Sequence, residues 1–201
     1  MRLIIALCLL YAAACAKNEE TVTTRIVMDT DAGMITLELY PEKAPATVAN
    51  FLKYVDEGAF GGSHIYRVTR ADNDPDIAIV QGGLWKPWED GMDEDFAAPY
   101  PPVEHETTEM SGLSHTDGVI SMARVEPGTA SSEWFINVGD NLSLDYGGAR
   151  NPDGQGFAAF GKVVAGMDVI LSVNAAPTRD GEGFAGQLLA DPIEINSVTR
   201  L

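Results

Sequence analysis

The chain has 201 residues, 45% hydrophobic and 21% charged, which suits one ordinary domain with a single sizeable core and is too apolar for a disordered chain. Thirty acidic side chains stand against 13 basic ones, a formal net charge of −17, and such a field repels phosphate backbones and anionic membrane surfaces, so no nucleic-acid partner is expected. Cys8 and Cys15 are the only cysteines, which excludes a disulfide scaffold, a zinc site or a cysteine nucleophile from the body of the chain.

Met1-Arg2 is a short positive start, Leu3 to Tyr11 is apolar, and Ala12-Ala13-Ala14-Cys15 follows. Residues 1–15 have the form of a secretory signal peptide and are too few for a transmembrane helix. The small residues before Cys15 resemble a bacterial lipoprotein processing site, at which Cys15 would be lipidated and become the new N-terminus. Ala12 stands where such sites more often carry Leu. The rival reading is cleavage after the Ala14-Cys15-Ala16 triplet, which leaves a soluble periplasmic protein. Either route exports the chain, and a membrane is met only through the N-terminal lipid. Residues 16–23 are polar and unpatterned, a short tether, and 24–201 form the folded domain.

Arg25 to Met28 and Met34 to Tyr40 flank Asp29-Thr30-Asp31-Ala32-Gly33, a hairpin signal; Ile35, Leu37 and Leu39 share one face of the second strand. Over Ala46 to Glu57, Val48, Phe51, Leu52 and Val55 recur at helical spacing, with Pro45 suited to the first turn and Gly58 to the position past the end. His64 to Thr69 alternates as a strand with Arg67 on one face. Arg70 to Asp76 is an acidic loop, and Ile77 to Val80 is a short strand running into Gln81-Gly82-Gly83. Trp85 to Pro102 is irregular, and its acidic run from Glu89 to Asp95 lacks the ligand spacing of a calcium loop. Trp85, Pro87 and Trp88 read either as an apolar rim or as a small satellite cluster under that loop.

Val119 to Ala123 and Glu133 to Val138 form two strands around Pro127-Gly128; in the second, Trp134, Ile136 and Val138 take one face and Phe135 the other. Tyr146 to Gln155 is a loop, Phe157 to Val164 a strand, and Gly166 to Asn174 a short helix carrying Met167, Ile170 and Leu171. Ile193 and Ile195 mark a closing strand. Many short strands with two separated helices argue for a mainly β fold, a closed barrel with helical caps.

Three blocks, Tyr66–Arg70 with Ile79–Gly83, Ile120–Arg124 with Ser131–Val138, and Gly156–Ile170, resemble in order the cyclophilin-type peptidyl-prolyl cis-trans isomerases, and most of all their bacterial envelope members. The likeness runs from about Arg25 to the C-terminus. It implies an eight-stranded antiparallel barrel capped by two helices, an isomerase of X-Pro bonds that needs no cofactor and no metal, and clients among proline-containing unfolded or partly folded envelope proteins. A monomer is expected. Rotation about an X-Pro bond is slow because amide resonance imposes a barrier of roughly 18–20 kcal/mol. In the twisted state the prolyl nitrogen regains a lone pair, so a fixed cationic donor aimed at it interacts better with the transition state than with the planar amide.

The resemblance assigns that donor to Arg67. It gives Gln81 the task of positioning the arginine and the substrate backbone, Ala123 the small wall and Phe135 the floor of a proline pocket, and Leu144 its aliphatic side. Main-chain groups of Arg124 pair with the substrate backbone, and Ile79, Glu133 and Phe157 complete the binding set. Phe135 and Leu144 serve equally well as plain core residues on sequence alone. The departures are Ala78-Ile79 where Phe-Met is usual, about six residues added between Arg67 and Gln81, Glu133 for Gln, Ser143 for an aromatic residue, and Phe157 for the pocket histidine of many eukaryotic members. Ala78, Ser143 and Phe157 motivate a second hypothesis, a catalytically weak proline-peptide binding module or holdase. Ser131-Ser132 lacks a Gly-x-Ser-x-Gly setting. His64, His105 and His115 lack metal-ligand spacing and read as surface or hydrogen-bonded histidines.

Overall fold

The alternation of apolar and polar residues near the N-terminus becomes a hairpin of β1 (Thr24–Thr30) and β2 (Gly33–Leu39). Their register sets Ile26 opposite Leu37 and Met28 opposite Ile35, and all four are fully buried with Leu39. The computed structural model describes residues 23–70, 76–87, 96–181 and 183–201. Apart from Thr23, the signal peptide, Cys15 and the tether lie outside these residues, as do Trp88 and the acidic run from Glu89 to Asp95.

The helical spacing after Pro45 gives α1 (Pro45–Asp56), which buries Val48, Phe51, Leu52 and Val55. Phe51 meets Phe60 and Phe160 at 5.1 and 5.2 Å between ring centroids. Its start lacks a local cap: Ala44 precedes it and supplies no side-chain oxygen. The carboxylate of Glu106 takes that place from far along the chain, accepting from the Ala46 and Thr47 amides at 3.1 and 2.8 Å and from the Thr47 hydroxyl at 2.6 Å. An anion on the first amides of a helix satisfies otherwise orphaned donors and complements the helix dipole.

The remaining strands are β3 (Ser63–Thr69), β4 (Ile79–Gly83), β5 (Val119–Met122), β6 (Trp134–Asn137), β7 (Ala158–Ala165), the two-residue β8 (Thr178–Arg179) and β9 (Leu188–Arg200). All pairings are antiparallel, in the order β1-β2-β7-β5-β6-β4-β3-β9, and β9 returns to β1. Eight strands thus close a ring, and β8 sits outside it on β9. This is the expected barrel, with both helices where periodicity put them. A third, single-turn α2 (Thr108–Ser111) is capped by the Thr107 hydroxyl, and a 3₁₀ turn runs over Leu142–Leu144.

Three local readings change. β4 begins at Ile79 rather than Ile77 and carries Gln81, Gly82 and Gly83 within it. Position 82 in this ladder needs glycine, because a Cβ there would lie 2.8 Å from the His64 carbonyl and 2.9 Å from the Trp134 ring. In α3 (Met167–Asn174) the buried pair is Ile170 and Val173, while Leu171 is half exposed. β9 extends well beyond Ile193 and Ile195 because it pairs with both β1 and β3, and its polar interior residues hide it from a pattern search. The end of α3 is tied to the barrel: Arg70 donates to the carbonyls of Asn174 and Ala176 at 2.9 and 2.7 Å, the favourable place for a cation on a helix dipole.

Replacing Glu106 by Ala leaves two amides and a hydroxyl without their acceptor, so the folded state should lose roughly 1.5–3 kcal/mol. Urea unfolding measures this directly, with the exposed Glu42→Ala change expected to stay within about 0.5 kcal/mol. A Glu106→Ala curve that overlays the parent would refute the tertiary cap.

Candidate active site

In a regular strand, side chains alternate between faces, so Ile65 and Val68 could not both point inward. Both are nevertheless fully buried in the main core. The register against β4 shifts between Ile65 and Arg67: Ile65 opposes Gly82 and Arg67 opposes Gln81, with Tyr66 as the extra residue. This bulge turns Arg67 to the outer face and returns Val68 to the core. Directly opposed residues share a face, so Arg67, Gln81, Phe135 and Ser121 form one row across β3, β4, β6 and β5. The neighbouring row, Val68, Val80, Ile136 and Ile120, is the barrel core.

The Arg67 guanidinium is held from two sides by neutral partners. Its Nη1 donates to Gln81 Oε1 at 2.7 Å, and its Nε and Nη2 donate to Gln187 Oε1 at 2.9 and 2.6 Å. Gln187 is in reach because its carbonyl accepts from the Val68 amide at 2.9 Å. The Phe184 ring lies 4.9 Å from the guanidinium carbon. Among the described residues no carboxylate pairs with this cation. Burial lowers its pKa to about 10, with Tyr66 opposing and Arg150 adding to the effect, and it remains a cation at neutral pH. A guanidinium has five N–H donors, and the two glutamines occupy three of them.

Behind Gln81 runs a second line of hydrogen bonds. Gln81 Nε2 donates to Tyr66 Oη at 2.9 Å, and Tyr66 Oη donates to Glu133 Oε2 at 2.6 Å. Glu133 Oε1 accepts from the amides of Leu84 and Trp85 at 2.8 and 3.1 Å and from the Ser132 hydroxyl at 3.0 Å. Burial raises the Glu133 carboxyl, and these donors partly offset it. The Tyr66 hydroxyl is pushed well above its usual range by burial and by the neighbouring Glu133.

Beside the arginine is a cavity of about 560 Å³, lined by Arg67, Ile79, Gln81, Ala123, Arg124, Glu133, Phe135, Leu144 and Phe157 together with further residues. Every site residue expected from the sequence therefore meets at one opening, Cys15 excepted because it lies outside the described residues. Phe135, Leu144, Ile77 and Ile79 form a separate apolar cluster against which Ala123 and Phe157 pack. Phe157 stands edge-on to Phe135, 5.4 Å away at 89°. His115 stacks behind Phe135 at 5.9 Å, fully buried, with Nδ1 2.6 Å from Asp145 Oδ1. Asp145 is raised by burial, but hydrogen bonds from His115 and Ser114 outweigh this and hold it below its usual range. His115 is thus hydrogen-bonded and interior.

A family model for cyclophilin type peptidyl-prolyl cis-trans isomerases matches residues 25–200. The chain belongs to this family. It is similar to the peptidyl-prolyl cis-trans isomerase A of Dickeya dadantii, with 38% identity over 161 residues, 80% of this chain and 76% of that one. It also resembles the peptidyl-prolyl cis-trans isomerase B of Escherichia coli, with 33% identity over 175 residues, 87% and 98% of the two chains. The crystal structure of a Cryptosporidium parvum cyclophilin covers 90% of this chain and 98% of its own, with a TM-score of 0.67 at 18% identity, which is a likeness of fold. The protein is accordingly a peptidyl-prolyl cis-trans isomerase.

Within this cyclophilin, several of these residues make further contacts that the sequence does not show. Glu133 is expected at the substrate, yet its two oxygens are engaged by Tyr66, Leu84, Trp85 and Ser132. Ile77 adds apolar wall beside Ile79, and Ala78 is held through its backbone by Asn141. The Arg124 side chain, 1% exposed, pairs with both Asp153 oxygens at 2.8 and 3.0 Å, donates to the Gly156 carbonyl at 2.9 and 2.6 Å and stacks on Phe157 at 5.1 Å. It therefore fastens the 146–156 loop to the pocket wall. Trp85 stands edge-on to Tyr66 at 5.6 Å and faces the cavity. Gln187 and Phe184 escaped sequence reasoning altogether, since a glutamine after Ala185-Gly186 carries no pattern. Tyr66 was legible only as the neighbour of Arg67.

Phe135 is 3% exposed and holds Phe157 and His115 in place, so Phe135→Ala should destabilise the fold by roughly 3–5 kcal/mol. Thermal and denaturant unfolding provide the test, and an unchanged melting curve would show that the ring is not packed as described.

Proposed function

We propose that this cyclophilin accelerates X-Pro rotation with Arg67 as the catalytic donor, acting on unfolded or partly folded proteins of a bacterial envelope. The observation that carries the reading is a cation that meets no carboxylate among the described residues, held by two neutral glutamines at the lip of an apolar pocket. A carboxylate partner would draw the guanidinium's field onto itself. Glutamine carbonyls orient it and leave its charge available to a developing lone pair.

In this mechanism the proline ring enters over Phe135, with Leu144, Ile79 and Phe157 as apolar walls and Ala123 leaving room for the ring. Main-chain groups of Arg124 hold the flanking backbone, and Gln81 serves both arginine and substrate. As the amide twists, the prolyl nitrogen becomes pyramidal and accepts from an Arg67 N–H that the glutamines do not use. The planar ground state offers no such acceptor, so the contact lowers the barrier instead of only tightening binding. Export follows from residues 1–15, with Cys15 as the lipid-bearing residue that anchors an otherwise monomeric domain.

Exchange NMR on a Xaa-Pro peptide tests the chemistry. The protein should speed exchange, and Arg67→Ala should lower catalytic efficiency on the order of 10²–10³-fold; a loss below threefold would remove Arg67 from its role. Peptide shifts without faster exchange would instead mean a binding module. Because the guanidinium stays charged until pH approaches about 10, the rate should hold through neutral pH and fall on the alkaline side. For the anchor, Cys15→Ser should move the protein from the membrane fraction to the soluble one, and unaltered fractionation would favour the soluble periplasmic form.

A further inference from the structure

An amide side chain such as that of Gln81 fits its space equally well in two orientations, and only its neighbours decide which atom faces Arg67. Oε1 toward the guanidinium gives a hydrogen bond, whereas Nε2 there would set donor against donor. Arg67, a donor only, already requires Oε1 on its side, and the far end of the chain of hydrogen bonds requires the same. Glu133 as an anion can only accept, and four donors fix its two oxygens in place: Tyr66 Oη, the Leu84 and Trp85 amides, and the Ser132 hydroxyl. Tyr66 has a single proton, which it gives to Glu133 at 2.6 Å, so its oxygen must accept from Gln81 Nε2 at 2.9 Å. Gln81 then has one orientation left, with Oε1 on Arg67 Nη1 at 2.7 Å.

We propose that Glu133 and Tyr66 are positioning residues for Arg67: a stationary carboxylate anchors the far end of the chain of hydrogen bonds through Tyr66 and Gln81, keeps its direction matched to the donor-only guanidinium, and so holds Arg67 in aim. This inference rests on Arg67 being the catalytic donor. It gives Glu133 a task different from contact with substrate, and Tyr66 a task its sequence position alone did not reveal. A glutamine at 133 that kept its oxygen on the Leu84 and Trp85 amides would turn its NH2 toward the Tyr66 hydroxyl, and the chain would then oppose the donor-only Arg67. The carboxylate accepts on both sides and avoids that conflict.

The test uses the full chain with Tyr66→Phe, the nearly isosteric Glu133→Gln, and both together, each read for kcat and KM on a neutral Xaa-Pro peptide. The Arg67 Nε–H cross-peak is followed in ¹⁵N NMR. Each single change should lower kcat on the order of ten- to hundredfold, as expected for a misaimed catalytic group, and leave KM within about twofold because the apolar pocket is untouched. The double variant should lose little more than the worse single, since both act through one chain. The Arg67 cross-peak should shift or broaden in all three. A lower melting temperature with kcat retained would overturn the proposal by reducing the pair to a structural one, and so would losses that multiply in the double variant. If Arg67→Ala leaves the rate intact, the catalytic reading itself fails; if Arg67→Ala collapses the rate while Tyr66→Phe does not, only this inference fails.

Discussion

The bulge at Tyr66 is the constraint on which the site depends. Strand periodicity would have sent Arg67 into the barrel core, where a cation without a carboxylate could not be tolerated. One extra residue against β4 shifts the alternation, sends Val68 inward, and brings Tyr66 and Arg67 to bear on the pocket side as successive residues. That adjacency lets one strand serve two connected purposes: Tyr66 reaches Glu133 on one side, and Arg67 reaches Gln81 and Gln187 on the other. The same row then continues across the sheet to Phe135, so donor and apolar floor are spaced by strand separation and not by a flexible loop.

The polar groups around Arg67 follow a consistent economy of charge. A buried cation costs free energy, and a buried anion does too, yet the two charges here are not paired directly. Glu133 is satisfied by local amides and hydroxyls, Arg67 by amide oxygens, and Tyr66 with Gln81 separates them. Direct pairing would be more favourable locally but would leave nothing for a reacting amide to use. Arg124 provides the contrast on the opposite wall. It is also an arginine beside an aromatic ring, but its bidentate bond to Asp153 spends its charge on fastening a loop.

Much of this was legible in the sequence where a single period rules. Trp134 and Ile136 on one face and Phe135 on the other mark a strand, and Val48, Phe51, Leu52 and Val55 mark α1 nearly to the residue. Arg67 and the pocket residues came from family wording rather than from physics, because no periodicity tells a catalytic arginine from a solvated one. What stayed hidden depends on contacts between distant segments. Glu106 caps a helix about sixty residues away, Gln187 reaches Arg67 across 120 positions, and β9 takes two partners at once. Of the apolar residues at helical spacing in α3, Ile170 is buried and Leu171 is half exposed, because a helix of eight residues is too short for its apolar stripe to show which flank meets the barrel.

The closed ring of strands bears on how the enzyme avoids its own substrates. Chains awaiting proline isomerisation present unpaired backbone and apolar side chains, the ingredients of intermolecular sheet growth. Each of the eight ring strands has neighbours on both sides, so the ring offers no open ladder for such a chain to extend. Capture through an added strand, which binds by a long row of main-chain hydrogen bonds, has no purchase there. Under the proposed mechanism a visiting segment is held by the proline pocket and a few backbone contacts, not by a long row of main-chain bonds.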